Sequence, residues 1–499
     1  MSNITNYIKK KKEVDIIFSM RKKIVVNKAG LFLMLSFIMI LSLSVTFAAD
    51  NYTGDVSLSE NGHTDSIGSA NYRNNDNSFT KLSKEINSSR TNLVLNKNYK
   101  YSGNDNKDGI IVKKNNYVID GKGHTIDANG KSRIFDITGK NIILKNMILT
   151  NTKHYSGTAI YINPNSSVTT INVTFRNCQS RGPGIVFADV STYNSNNDKF
   201  INCKSNEEGI ISSYNSKINV KKDYIQSKHK MAKGFISSMV GSSITVTDTT
   251  FKDLSSKYST AIYADSELNV QNCKFINLKS DLTGGAIIVK ELDKKFEVNN
   301  CLFNNVSSER NGGAIFVDIN GVDRHNGYSI IKNSNFTNCL SGFGAAILQL
   351  GGKLTVNNCK FIKNRAIYDG GAIYTSYTAL TVQKSLFNNN KNIISDYSGS
   401  AIYLDEGYLN LSSSTFNSNT GASTVEIYDS QYNIKSNNFK SNKMAVHAVF
   451  SKGNFYNNNQ LNQDKISLQN SDYSTYVIGE GIEFKIVNPI PTNTKLPSR

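Results

Sequence analysis

The chain has 499 residues, among them 67 asparagines, five prolines and no tryptophan, and a formal net charge of +18. Residues 1–49 hold eight Lys and Arg against two acids, which leaves about +12 for the remaining 450 residues. That is a mildly basic surface with no basic stripe interleaved with aromatics, so nucleic-acid recognition is excluded as the organising function, and acidic polymers or an anionic cell surface are the implied neighbours.

The first element is a hydrophobic leader helix. An apolar run from Ala29 to Phe47 follows Arg21, Lys22, Lys23 and Lys28 and ends on the small residues Ala48 and Ala49. This is the three-part build of a secretory signal, with Thr46 and Ala48 at positions −3 and −1 of a cleavage site. Starting at Met20 rather than Met1 gives a more compact leader. An uncleaved signal anchor is the alternative, because about 18 apolar residues just span a bilayer. Either reading puts the bulk of the chain outside the cytoplasm, at the cell surface or secreted. Residues 50–90 lack apolar periodicity and read as a flexible polar spacer.

From residue 91 to 465 the chain repeats itself. Small-residue strings ending in Ala-Ile, such as "GGAIIV" from Gly284, "GGAIFV" from Gly312 and "GGAIYTSYTAL" from Gly370, place Ala at 159, 261, 286, 314, 346, 372 and 401. Neighbouring gaps are 25, 28, 32, 26 and 29 residues, and the gap of 102 after Ala159 holds degraded copies at Gly184, Gly209 and Gly234. Ile follows each Ala, from Ile160 to Ile402, and an aromatic often follows Ile: Tyr161, Tyr263, Phe316, Tyr374 and Tyr403. A second phrase, as in "LNVQNCKF" and "LTVNNCKF", ends on Phe275, Phe303, Phe361 and Phe387.

Each unit of about 25 residues thus has two short β-rich runs separated by Gly, Asn, Ser and Asp turns. Beyond the leader no run shows helical spacing over ten residues. Strand-only repeats must pair with their own equivalents, which predicts an all-β, right-handed parallel β-helix (solenoid) of about 14 coils spaced about 4.8 Å apart. Ile then stacks on Ile, aromatic on aromatic and Asn on Asn. Glycine recurs where the chain turns sharply against the next coil. The pattern leaves open whether Ile or the aromatic points inward. Residues 466–499 form a C-terminal strand and a tail with Pro489, Pro491 and Pro497; "YVIGEGIEFKIVN" reads as the first strand of a following domain.

"GGAI" with "F-x-x-N" resembles the repeats of polymorphic outer membrane proteins. "YVIDGKGHTIDANG" from Tyr117 and "NIILKNMILTN" from Asn141 resemble the opening coils of the adhesin-like right-handed parallel β-helix proteins of methanogenic archaea. The resemblance covers roughly residues 91–460 and implies a pectin-lyase-like fold and an adhesin-like binding function. The same fold serves pectate lyases and polygalacturonases, so the rival reading is a polysaccharide lyase or glycoside hydrolase. The C-terminal membrane barrel of the polymorphic proteins and the wall-anchoring segment of larger adhesins find no counterpart in this sequence.

Six cysteines, at 178, 203, 273, 301, 339 and 359, each follow an asparagine at a repeat position. They read as stacked free thiols filling the coil, with one or more disulfides as the alternative. Their spacing matches no zinc pattern. His63, His124, His154, His229, His325 and His447 share no repeat phase. Asp189, Asp265, Asp318, Asp405 and Asp429 read as recurring four places after the Ala position; they read as turn residues, with a calcium ladder as the sharper alternative, interrupted by Lys290, Leu350 and Ser376. Asp120 and Asp127 flank "GKGH" and read as turn residues rather than a paired-carboxylate acid and base. The β-helix hydrolases carry clustered Asp pairs, a Gly-His-Gly and a basic pair; this chain has Gly123-His124-Thr125 and no matching partners. Eight Asn-x-Ser/Thr sequons, including Asn172, Asn305, Asn335 and Asn410, permit glycosylation.

The sequence therefore indicates an exported binding rod with no catalytic, cofactor or metal residues, facing a glycan or another cell's surface protein. It touches a membrane only through the leader if that is retained. The insertion "DINGVDRHNGYS" from Asp318 is the expected contact loop.

Overall fold

The structure is a computed structural model describing residues 77–475 and the strand Phe484–Val487, apart from 291–294, 320–326, 395, 397, 457–458, 463 and 470–471. The leader, most of the spacer, the proline tail, His63 and His325 lie outside the described residues. Among the described residues no helix is long and apolar enough to cross a membrane.

Most coils lay down three main strands in the same order, illustrated by Ile373–Ser376, Ala379–Gln383 and Leu386–Asn388, and several add a short fourth such as Lys391–Asn392. Each strand pairs in parallel with its equivalent one coil away, so the chain winds into a solenoid with three faces, here sheets 1, 2 and 3. Sheets 1 and 2 have 16 strands each, close to the expected number of coils. At about 4.8 Å per coil this is a stack roughly 70 Å long.

Register follows the repeat. In sheet 1, Ile347 pairs with Ile373 and Ile373 with Ile402, and all three are fully buried. Ile therefore points into the coil, and the aromatic after it points out: alternation along a strand sends neighbours to opposite faces. In sheet 3 the second-phrase phenylalanines point inward and stack face to face, with ring centroids 4.5 Å apart for Phe275–Phe303, 4.6 Å for Phe303–Phe336 and 4.7 Å for Phe361–Phe387. Where Ile225 stands in this column, Phe235 leaves the Ala position of its degraded repeat and meets Phe200 edge-on at 5.0 Å.

Asparagine is abundant because the corners demand it. Of 35 non-glycine residues with positive φ among the described residues, 20 are Asn, the type best able to hold that left-handed geometry. Asparagine amides, at these corners and inside the coil, form ladders. On the outside, Asn305 Nδ2 donates to Asn277 Oδ1 at 3.0 Å, and Asn277 Nδ2 to Asp253 at 2.8 Å. Inside, Asn364, Asn390, Asn419 and Asn442 each donate Nδ2 to the side-chain oxygen of the next coil, ending on Asp464. Both ladders end in a carboxylate at the acceptor end, where no further donor is needed.

The two glycines of the repeat have different tasks. Gly312 has φ +60°. Gly313 lies so close to the next coil that a Cβ would come 2.0 Å from the Ala345 carbonyl oxygen.

Two expectations about the ends change. Residues 79–88, read as the end of the spacer, form a helix whose Phe79, Leu82 and Ile86 are buried. Ser78 caps it, and Asp105 accepts from the Phe79 and Thr80 amides and the Thr80 hydroxyl. It packs against the first strands of sheets 1 and 2 and covers the start of the core. At the other end Phe484–Val487 is the last strand of sheet 1, paired in parallel with Ile466–Gln469, rather than the start of a new domain.

Candidate functional site

Asp120 and Asp127, weighed as a paired-carboxylate acid and base and read as turn residues, each sit at a corner. Asp120 Oδ1 accepts from the Lys122 amide at 3.0 Å and from Asn146 Nδ2 at 3.1 Å. Burial works against its charge, but those bonds and Lys145 hold its carboxyl below the usual range. Asp127 Oδ1 likewise accepts from the Asn129 amide at 2.7 Å and from Asn151 Nδ2 at 3.0 Å. Both are corner caps at the acceptor ends of asparagine ladders. His154 bonds Arg133 and Asp108, His124 lies 3.3 Å from Asn98 Oδ1, and His447 rests on Glu426.

The aspartates after the Ala position lie on the outer face of sheet 1 but form no continuous ladder. Lys290 pairs with Asp318, Asp318 with Leu350, Ser376 with Asp405, and Asp405 with Tyr428. Asp429 is one residue out of that register. Among the described residues no three His, Cys, Asp or Glu side chains come together as a metal cluster. The amides of Asn172 and Asn305, both in sequons, are tied into ladders. Most of the expected contact loop, residues 320–326, lies outside the described residues.

Beside the aspartates runs the outward aromatic column, which is largely covered. Ile288, Phe316 and Leu348 are buried beneath Tyr258 and Phe343 from the corners leading into sheet 1. Tyr374 stacks on Tyr403 at 5.1 Å. Burial, with Glu406 nearby, pushes the Asp405 carboxyl up to about 6. The aromatics thus serve a second, external core.

Among the described residues one open feature is a groove of about 520 Å³ on the corner between sheets 1 and 2. It crosses five coils, each turning with a positive-φ residue or a glycine: Gly139 into Asn141, then Asn165, Val190, Asn215 and Gly241. Five coils span about 19 Å between the outermost strands. The floor is a hydroxyl ladder in which Ser191 N donates to Ser216 Oγ at 2.9 Å and Ser216 N to Ser242 Oγ at 3.1 Å. Ser167 and Thr192 are in register on its wall, and exposed Lys140 and Lys217 supply two ammonium groups. Asn, Ser, Thr and Lys suit the recognition of a polyhydroxylated, negatively charged chain lying along the axis. The sequence displays these residues, but as corner residues they carry no motif of their own.

No family model matches the chain, and no curated protein matches it. Among solved structures it is similar to the Siphovirus 9NA tailspike receptor binding domain (10% identity, TM-score 0.26, covering 84% of this chain and 76% of that one). It is also similar to the PL6 family alginate lyase AlyGC (8% identity, TM-score 0.25, covering 83% and 99%). Likenesses of this degree carry no weight for function, and the parallel β-helix rests on the strand pairings themselves.

Proposed function

We propose that this chain is an exported, adhesin-like binding protein whose solenoid holds an acidic polysaccharide along its axis, in the groove between Lys140 and Gly241. The observation that carries the reading is the groove's repetition: a serine-capped corner recurs at Ser191, Ser216 and Ser242 in three successive coils, with a spacing close to the length of one sugar unit. A ligand with its own linear repeat meets successive equivalent sites, so affinity accumulates along the chain. The mildly basic surface favours anionic glycans over neutral ones, and the leader supplies the export signal.

The test is calorimetric titration of the chain with an acidic and a neutral polysaccharide, alongside an assay for reducing ends and unsaturated products. Binding of the acidic polymer is expected, weakened by salt and roughly tenfold by Lys140→Glu with Lys217→Glu. Equal binding of both polymers, or none, refutes the reading. Product release replaces it with a lyase or hydrolase on the same scaffold.

A further inference from the structure

The six cysteines all face the interior as free thiols, but the winding treats them differently. They occupy two internal columns, one two residues before the sheet 3 phenylalanine and one three residues after it. Cys178 and Cys203 are neighbours in the second column, since Gln179 pairs with Lys204 and Lys204 N donates to the Cys178 carbonyl at 2.9 Å. Cys273 and Cys301 are neighbours in the first, and the Cys273 amide donates to Cys301 Sγ at 3.4 Å. Cys339 lies between Val306 and Asn364, whose Oδ1 takes its amide proton at 2.9 Å. Cys359 lies between Ser334 and Ser385, whose Oγ takes its amide proton at 3.2 Å.

Equivalent residues of adjacent coils stand about 4.8 Å apart, inside the Cα separation of roughly 4.4–6.8 Å that a disulfide needs. Cα atoms two coils apart, about 9.6 Å, lie outside it. Of all pairings of six thiols, only two are therefore within reach without moving a coil. We propose that Cys178–Cys203 and Cys273–Cys301 are oxidation sites that close as cross-coil disulfides with a small organic disulfide as oxidant, while Cys339 and Cys359 stay thiols.

The reaction is two exchanges. The Cys301 thiolate attacks one sulfur of the small disulfide, forming a mixed disulfide and expelling the other half as a thiolate. The Cys273 thiolate then attacks the Cys301 sulfur and expels the second half. Two protein thiols lose two electrons, the oxidant gains them as two small thiols, and the two protons pass from the protein thiols to the leaving groups. A hydrogen bond from the Cys273 thiol holds the Cys301 thiol below its usual range, which suits it to attack first. Both pairs are almost fully buried, so exchange proceeds through local opening of a coil, which a solenoid permits without global unfolding.

The test uses the full chain, reduced and then incubated with oxidised glutathione in sub-denaturing urea, alkylated, digested and mapped by mass spectrometry. Two cross-linked peptides, 178 with 203 and 273 with 301, are expected, with Cys339 and Cys359 alkylated. A bridge to Cys339 or Cys359, a mixed disulfide that persists at Cys301 with Cys273 free, or six alkylated thiols overturns the proposal. In Cys301→Ser the expected product is the 178–203 bridge alone, with Cys273 alkylated like Cys339 and Cys359, and a bridge from Cys273 to any other cysteine overturns it. Should that variant fail to fold, Cys203→Ser poses the same question at the other pair.

Discussion

The interior asparagine ladder can be interrupted at one rung. Asn390 is fully buried; its Oδ1 accepts from Asn364 N at 3.1 Å and Asn364 Nδ2 at 2.9 Å. Its Nδ2 donates to the Phe361 carbonyl at 3.0 Å and to Asn419 Oδ1 at 2.9 Å. Asn390→Leu keeps the volume and removes four hydrogen bonds, leaving the Asn364 backbone N–H with no acceptor while its Nδ2 keeps the Phe336 carbonyl. At about 1 kcal/mol net per bond the coil should lose about 4 kcal/mol, roughly a thousandfold in its opening equilibrium. Coil-resolved hydrogen exchange reads this directly. Protection near Asn364 and Asn390 should fall by that factor, while protection near Ile160 holds, because solenoid stability is largely a sum of neighbour terms. Unchanged protection at Asn364 would refute the ladder's energetic role, and an equal fall at Ile160 would show one cooperative unit.

A second outcome concerns pH. Asp198 and Asp223 are buried within the coils, joined by Ser195 Oγ at 2.7 and 2.5 Å. Burial pushes Asp198 up to about 6, and burial with the Asp198 charge raises Asp223. Folded carboxyls raised above their unfolded values near 4 favour folding in acid, so stability of these coils should fall by about 3 kcal/mol as pH rises from 4 through 6. Urea melts across that range check the slope, which Asp198→Asn should flatten. A third outcome is steric. Gly313→Ala drives a methyl against the next coil's carbonyl and should cost about 2–3 kcal/mol. Gly103→Ala, which meets nothing within 4 Å, should change stability by under about 1 kcal/mol in matched melts.

The solenoid was legible because its strands pair with copies of themselves: the invariant Ile and the spaced Phe announce both period and register. Direction was not legible at Ile373–Tyr374, since both residues are apolar and either can face a core. The external aromatic layer under Phe343 explains why both positions repeat. The helix at Phe79 was missed although Phe79, Leu82 and Ile86 have helical spacing, because about two turns of stripe among polar residues resemble spacer. Asp198 and Asp223 carry no sequence signal of burial, and only the register places them at the position that Cys273 and Cys301 fill higher up. The groove's Ser and Asn residues are ordinary turn formers, and only winding brings five corners into a line.

The asparagine ladders also bear on how such a chain changes length. Every interior rung presents the same acceptor to the coil before it and the same donor to the coil after it. Excising the segment from one rung to the next, such as the 26 residues separating Asn364 from Asn390, would bring matching faces together. Duplicating such a segment would do the same. Asp464 breaks this interchangeability: its carboxylate accepts from Asn442 but offers no amide onward. Gene-level gain and loss of repeats is thus chemically silent along the ladder and restricted at its carboxylate, so length can drift in whole-coil steps while the terminus stays fixed.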